Sequence, residues 1–117
     1  MKYYNRKQQL IHSDNFDTLK ESLEYISKKH ISLRGVVLEE VDLSGAKLKN
    51  LVLQGAFLKN VNFENADLTS ANFSQATLEG INFKNAKLNS AIFLYTNIKN
   101  TVFDEKQKQK LLFIKNN

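Results

Sequence analysis

Apolar positions recur every five residues from Ile31 to Glu105. Fifteen consecutive pentapeptides carry Leu, Phe or Ile at their centre without insertion or deletion: Leu33, Leu38, Leu43, Leu48, Leu53, Leu58, Phe63, Leu68, Phe73, Leu78, Phe83, Leu88, Phe93, Ile98 and Phe103. Two residues before each centre stands a second small or apolar residue, most often Ala and β-branched at Val41, Val61, Ile81 and Thr101. A period of five fits neither a helix nor a flat strand, so the chain must coil. Side chains alternate along an extended segment, which puts the centre and the residue two before it on one inner face. The other three positions collect Lys, Glu, Asn, Gln, Ser and Thr and face water.

The position two after the centre predicts corners. It is Gly at 35, 45, 55 and 80 and Asn at 50, 60, 65, 85 and 100, and every glycine of the chain falls in this register. The third residue of a type II turn needs positive φ, which Gly accepts and Asn tolerates. A longer period sets the number of corners: residues 41–50, 61–70 and 81–90 align at a spacing of twenty. With four sides per turn, the Phe centres fall on two opposite walls and the other two keep Leu or Ile. Three sides would scatter them. The pattern therefore predicts an all-β solenoid, a four-sided parallel β-helix of nearly four coils.

An open solenoid leaves unpaired backbone at both ends, and terminal caps are the usual remedy. Phe16, Leu19, Leu23 and Ile26 recur at helical spacing, with Ser13 or Asp14 placed to cap and Lys28, Lys29 and His30 near the negative end of the dipole. A capping helix over 15–29 follows. Residues 104–114 (DEKQKQKLLFI), acidic at their start, predict a shorter C-terminal helix. The chain divides into an N-terminal segment (1–30), the coil (31–105) and a C-terminal helix and tail (106–117). No element is legible around Tyr3 and Tyr4.

ADLTS at 66–70, ANFSQ at 71–75 and AKLKN at 46–50 resemble the A(D/N)Lxx motif of the pentapeptide-repeat family, and the likeness runs over residues 31–105. The resemblance implies a right-handed coil and a tendency to dimerise through the C-terminal end. One branch of the family imitates DNA and engages DNA gyrase. Ile31, Val36, Val41, Leu51, Thr96 and Thr101 stand where the motif has Ala, which predicts slight distortion of the terminal coils.

The formal net charge of +5 belongs to the ends. Residues 31–105 hold seven Lys/Arg against eight Asp/Glu, and residues 106–117 hold four Lys and no acid. A near-neutral coil argues against DNA mimicry, because a duplex carries one negative charge per ~1.7 Å. Lys106, Lys108, Lys110 and Lys115 come without an Arg fork or aromatic platform, so nucleic acid is not the expected partner. No Cys is present, which excludes disulfides and thiolate metal sites. No apolar run approaches the ~20 residues of a membrane span, and the polar start MKYYNRKQQLIHSD leads us to expect a cytoplasmic protein.

His12 and His30 lie outside the repeats, and no phosphate loop, HExxH or nucleophile elbow occurs. No catalytic, cofactor-binding or metal-ligating residue is expected. Glu39, Lys59, Glu79 and Lys99 form a predicted ladder of alternating charge on one wall, and Asp42, Asn62 and Asn82 a polar ladder on the next. Several outward positions are apolar instead. Val52, Ile92 and Leu94 share a wall, with Tyr95 at the adjoining corner, and Val37 and Phe57 lie on the neighbouring wall. Together with Leu111, Leu112, Phe113 and Ile114 of the C-terminal helix, they form a candidate interface. It is either covered by that helix folding back or used by a second copy or another protein. The expected function is a non-catalytic scaffold that binds another protein, with a gyrase-directed DNA mimic as the alternative.

Overall fold

From Gly35 to Asn100 every fifth residue has positive φ, between 50° and 78°. The Gly and Asn corners are where the sequence places them. Glu40, Ser70, Gln75, Ser90 and Tyr95 adopt the same conformation although nothing in their residue type asks for it. Each such L-residue costs about 1–2 kcal/mol, which the flanking hydrogen bonds offset. Typical corners are closed by the bond from the next inward residue to the preceding centre: Val36 N–H to Leu33 O at 2.9 Å, Ala71 N–H to Leu68 O at 3.0 Å and Ala86 N–H to Phe83 O at 2.9 Å.

The computed structural model describes residues 1–111. Leu112, Phe113 and Ile114 of the candidate interface lie outside the described residues. The described elements are β1 (Lys2–Tyr4), β2 (Leu10–Ser13), α1 (Leu19–Lys28), β3 (Val37–Asp42), β4 (Phe57–Asn62), β5 (Thr77–Glu79), β6 (Asn97–Lys99) and α2 (Glu105–Lys110). Strands β3, β4, β5 and β6 pair in parallel in that order, aligning Leu38, Leu58, Leu78 and Ile98. Single parallel bridges join the remaining sides at the same spacing of twenty: Ser32, Val52, Asn72 and Ile92; Lys47, Asp67 and Lys87; Asn62, Asn82 and Val102. Corners five residues apart and a return every twenty make four walls. The first has centres at 33, 53, 73 and 93, the second at 38, 58, 78 and 98, the third at 43, 63, 83 and 103, and the fourth at 48, 68 and 88.

Centres and small inward residues fill the interior, as the five-residue pattern requires. Leu33, Leu43, Leu53, Leu58, Phe63, Leu68, Phe73 and Phe83 are all completely buried. The phenylalanines stack along their own walls, Phe63 on Phe83 at 5.6 Å and Phe73 on Phe93 at 5.0 Å. Between walls they meet edge to face, Phe73 against Phe83 at 5.5 Å. Both geometries suit the ring quadrupole and exceed simple area burial by about 0.5–1.5 kcal/mol per pair. The residues replacing Ala do not break the coil: the corner spacing is uninterrupted, and Val41 and Val61 lie within the two longest strands, where β-branched residues fit.

The N-terminal end corrects the sequence reading. Residues 2–13 form an antiparallel hairpin, β1 with β2, joined to the coil by a bridge between Asn5 and Val36. The helix starts at Leu19 rather than 15, and its cap is Thr18, whose hydroxyl accepts from Glu21 N–H at 3.1 Å. Ser13 belongs to β2, and Asp14 is engaged elsewhere, accepting from Phe16 N–H at 3.1 Å and Ser22 Oγ at 2.5 Å. Phe16 lies outside the helix but packs on Tyr25 at 5.1 Å. The C-terminal helix spans Glu105–Lys110 within the described residues, with Asp104 and Gln107 closing a capping box.

Both caps satisfy the coil with side chains placed where another coil would supply backbone. Within the coil, Asp67 N–H donates to Ala46 O and Lys87 N–H to Ala66 O, each at 2.9 Å. The next residue in that series is Gln107, whose Nε2 donates to Ala86 O at 2.8 Å and to Phe83 O at 2.6 Å. Likewise Asn65 N–H donates to Lys84 O, while Asn85 N–H donates to the Asp104 carboxylate at 3.0 Å. At the other end Lys47 N–H donates to Glu24 Oε2 at 2.8 Å, and Lys49 O accepts from Ser27 Oγ at 2.5 Å. Leu23 and Ile26 seal one end of the core and Leu111, twenty residues after Ala91, is buried at the other.

Candidate functional site

Outward polar residues divide into those the coil uses and those it leaves to solvent. Asp42, Asn62 and Asn82 are paired in the expected register, one coil apart. Each turns back to accept the N–H two residues on, from Ser44 at 3.0 Å, Glu64 at 2.9 Å and Lys84 at 2.9 Å. Asp67 and Asn72 do the same for Thr69 and Ser74. These are Asx turns, local bonds that steer the chain into the corner. Burial works to raise the Asp67 pKa, but hydrogen bonds from Thr69 and the nearby Lys49 and Lys87 charges hold it below the ordinary carboxylate value.

Glu39, Lys59, Glu79 and Lys99 are paired in the expected register. They nevertheless make no ion pair within 4.0 Å: among the described residues the pairs are Met1–Asp14, His12–Asp14 and Lys108–Glu105. Exposed long side chains gain too little from closing such contacts to give up their freedom.

The outward apolar residues separate into two groups. Ile92, Leu94 and Tyr95 are 38%, 50% and 62% exposed on the last coil. Val52 is half-buried on the same wall, with Asn72 between it and Ile92. Phe57 lies elsewhere, under the Arg6 guanidinium at 5.1 Å, in a groove of about 910 Å³ between the hairpin and the second wall. Val37 lines that groove too, so the N-terminal hairpin accounts for both apolar residues. Leu111 is in the core rather than on the surface. Val102, 53% exposed on the third wall, was not singled out by the sequence pattern, although it is the one apolar residue in its Asp42, Asn62, Asn82 series.

One buried polar cluster sits between hairpin and helix. Tyr3 donates to Ser22 Oγ at 2.7 Å, Ser22 donates to Asp14, and His12 Nε2 is 3.0 Å from the same carboxylate oxygen. Burial pushes the Tyr3 hydroxyl up to about 12. Burial also works to raise Asp14, but the bonds from Ser22, Phe16 and His12 outweigh it and hold its pKa below 3.8. These bonds tie the hairpin to α1. No group of three metal-ligating side chains exists among the described residues, and no described helix is long and apolar enough to cross a membrane.

The family model for pentapeptide repeats matches eight copies over residues 29–65 and 66–104. The chain belongs to the pentapeptide-repeat family. No catalytic family is indicated by the match. A comparison with curated proteins returns no match. Among solved structures, a pentapeptide repeat protein of the Arabidopsis thaliana thylakoid lumen is similar at 22% identity and TM-score 0.54, over 71% of this chain and 75% of that one. Rfr23, a pentapeptide repeat protein of the cyanobacterium Cyanothece 51142, is similar at 23% identity and TM-score 0.42, over 63% and 65%. HetL, a pentapeptide repeat protein involved in heterocyst differentiation regulation in Nostoc sp. strain PCC 7120, shares 31% identity with TM-score 0.32, over 57% of this chain and 34% of that one. The thylakoid-lumen likeness establishes the fold, and the fold sets neither compartment nor partner.

Proposed function

We propose that this pentapeptide-repeat chain is a non-catalytic protein-binding module, a right-handed four-sided solenoid that associates through the first wall of its last coil. The handedness follows from family membership. The observation that carries the function is the exposure of Ile92, Leu94 and Tyr95 side by side on a coil whose other outward positions are mostly polar. A rigid repeat surface with one apolar cluster suits association and offers no reacting groups. A second copy of the chain is the first candidate occupant, because the cluster sits on the last coil, away from the N-terminal hairpin that bridges to Val36 on the first.

Light scattering across a concentration series tests it. The expected result is a dimer mass that falls to the monomer value in Ile92→Asp/Leu94→Asp, with the far-UV spectrum unchanged. A monomeric wild-type protein, together with loss of no host partner in the double variant, sinks the proposal.

A further inference from the structure

The near-neutral balance of the coil hides a segregation of charge between walls. The third wall carries Asp42, Glu64 and Asp104 against Lys84, whereas the fourth carries Lys47, Lys49 and Lys87 against Asp67 alone. Lys28 of α1 and His30 extend the basic row, and these residues line a groove of about 700 Å³ whose α1 end also holds Glu24, its Oε2 occupied in accepting Lys47 N–H at 2.8 Å. The four lysines are exposed, and none has a carboxylate within 4.0 Å among the described residues. Asp67 is half-buried, and its Oδ1 is held by Thr69 N–H at 3.1 Å and Thr69 Oγ1 at 2.6 Å, so it feels the Lys49 and Lys87 charges without closing an ion pair with either.

We infer that the fourth wall is a docking groove for an extended acidic segment of another protein. The bridge register places Lys47 and Lys87 two coils apart, with Asp67 between them. Coils are ~4.8 Å apart, so the two ammonium groups are rooted about 10 Å apart along the axis. A segment in the extended polyproline II conformation advances ~3.1 Å per residue with three residues per turn, so acidic residues at i and i+3 share one face at roughly 9 Å and match that spacing. The residue facing Asp67 then has to be neutral or basic. Lys28 and Lys49 continue the charge toward the α1 end. A nucleic-acid backbone fits worse. It sets a phosphate against Asp67, and the wall has neither an arginine fork nor an aromatic platform for bases. This surface is separate from the Ile92 cluster, and its test does not depend on oligomeric state.

The probe is a fluorescein-labelled peptide with Glu at every third position and Ser between, titrated with the full chain and followed by anisotropy. Binding is expected at low salt and weakens as ionic strength rises toward about 0.15 M. Lys47→Glu/Lys87→Glu weakens it by about tenfold or more, and Lys59→Glu/Lys99→Glu on the second wall leaves it unchanged. Asp67→Asn tightens it about two- to fivefold. That change keeps the corner, because Asn72 already makes the same turn, accepting Ser74 N–H at 2.9 Å and Ser74 Oγ at 2.6 Å. Asp67→Asn therefore remains decisive if the charge-reversed protein fails to fold. Absence of binding at low salt, or an unchanged affinity in Asp67→Asn, overturns the inference. So does a single-stranded oligonucleotide of equal charge that binds as tightly as the peptide.

Discussion

Gly55 and Gly80 occupy equivalent corners, with φ of 69° and 66°, yet a methyl group added at each meets different surroundings. At Gly55 nothing lies within 4 Å. At Gly80 the new Cβ runs into the side-chain amide of Asn60, which is donating to Glu40 at 2.6 Å in the coil before. Gly55→Ala thus carries only the left-handed backbone penalty, about 1 kcal/mol. Gly80→Ala adds displacement of Asn60 and loss of its hydrogen bond, and is expected to cost about 1 kcal/mol more. Urea unfolding of the two variants checks this. Equal midpoint shifts at equal slope mean that Asn60 moves aside freely and the crowding carries no energy. The ten non-glycine corners make the same point from the other side: once ladder bonds flank a corner, residue identity adjusts its energy without deciding whether it forms.

At the scale of elements, the caps act as surrogate strands. Gln107 is the clearest case, buried to 7% exposure with its amide shared between Phe83 O and Ala86 O. Its Oε1 also accepts from Asp104 N–H at 2.8 Å, closing the capping box. Gln107→Glu keeps that acceptor but turns a two-bond donor into a carboxylate facing two carbonyls. The expected cost is about 2–3 kcal/mol, above that of Gln107→Ala, which only leaves the carbonyls unpaired. If Gln107→Glu melts at the same temperature as wild type, solvent rather than Gln107 satisfies the last coil. None of this was legible in the sequence, where a glutamine in KQKQK reads as one polar helix residue among several. The coil was legible because one inward requirement repeats at every pentapeptide, so the pattern averages over local exceptions. The hairpin was not, because its strands are three and four residues long and its apolar Leu10 is 55% exposed. The early helix start failed because Phe16 fits a helical spacing while the Asp14 contacts hold that stretch outside the helix. Of the candidate interface, Ile92, Leu94 and Tyr95 stand exposed as the pattern implies. Phe57 does not, because the segment that covers it could not be placed.

For the whole molecule, the question is how far one coil depends on another. A solenoid has only nearest-neighbour contacts along its axis, so cooperativity must pass through the stacked interior. Phe83 stands at the hub of that path. It faces Phe63 at 5.6 Å and Phe103 at 5.1 Å along its own wall, and Phe73 at 5.5 Å and Phe93 at 5.9 Å across the core. Phe103, half-buried in the last side, meets only Phe83 and Phe93 among the described aromatic pairs. Removing the hub ring is therefore expected to cost about 3–5 kcal/mol and to couple to both ends. Removing the terminal ring is expected to loosen the neighbouring coil alone. Amide hydrogen exchange separates these effects, because protection reports the opening free energy of each segment. In Phe83→Ala, protection should fall at Leu38, Leu58 and Leu78 as well as in the last coil. In Phe103→Ala, the loss should concentrate at residues 83–103, with Leu38 and Leu58 near their wild-type values. Wild-type protection of the first two coils in Phe83→Ala would show that the aromatic column does not join the ends, leaving the backbone ladders and the two caps to carry the cooperativity.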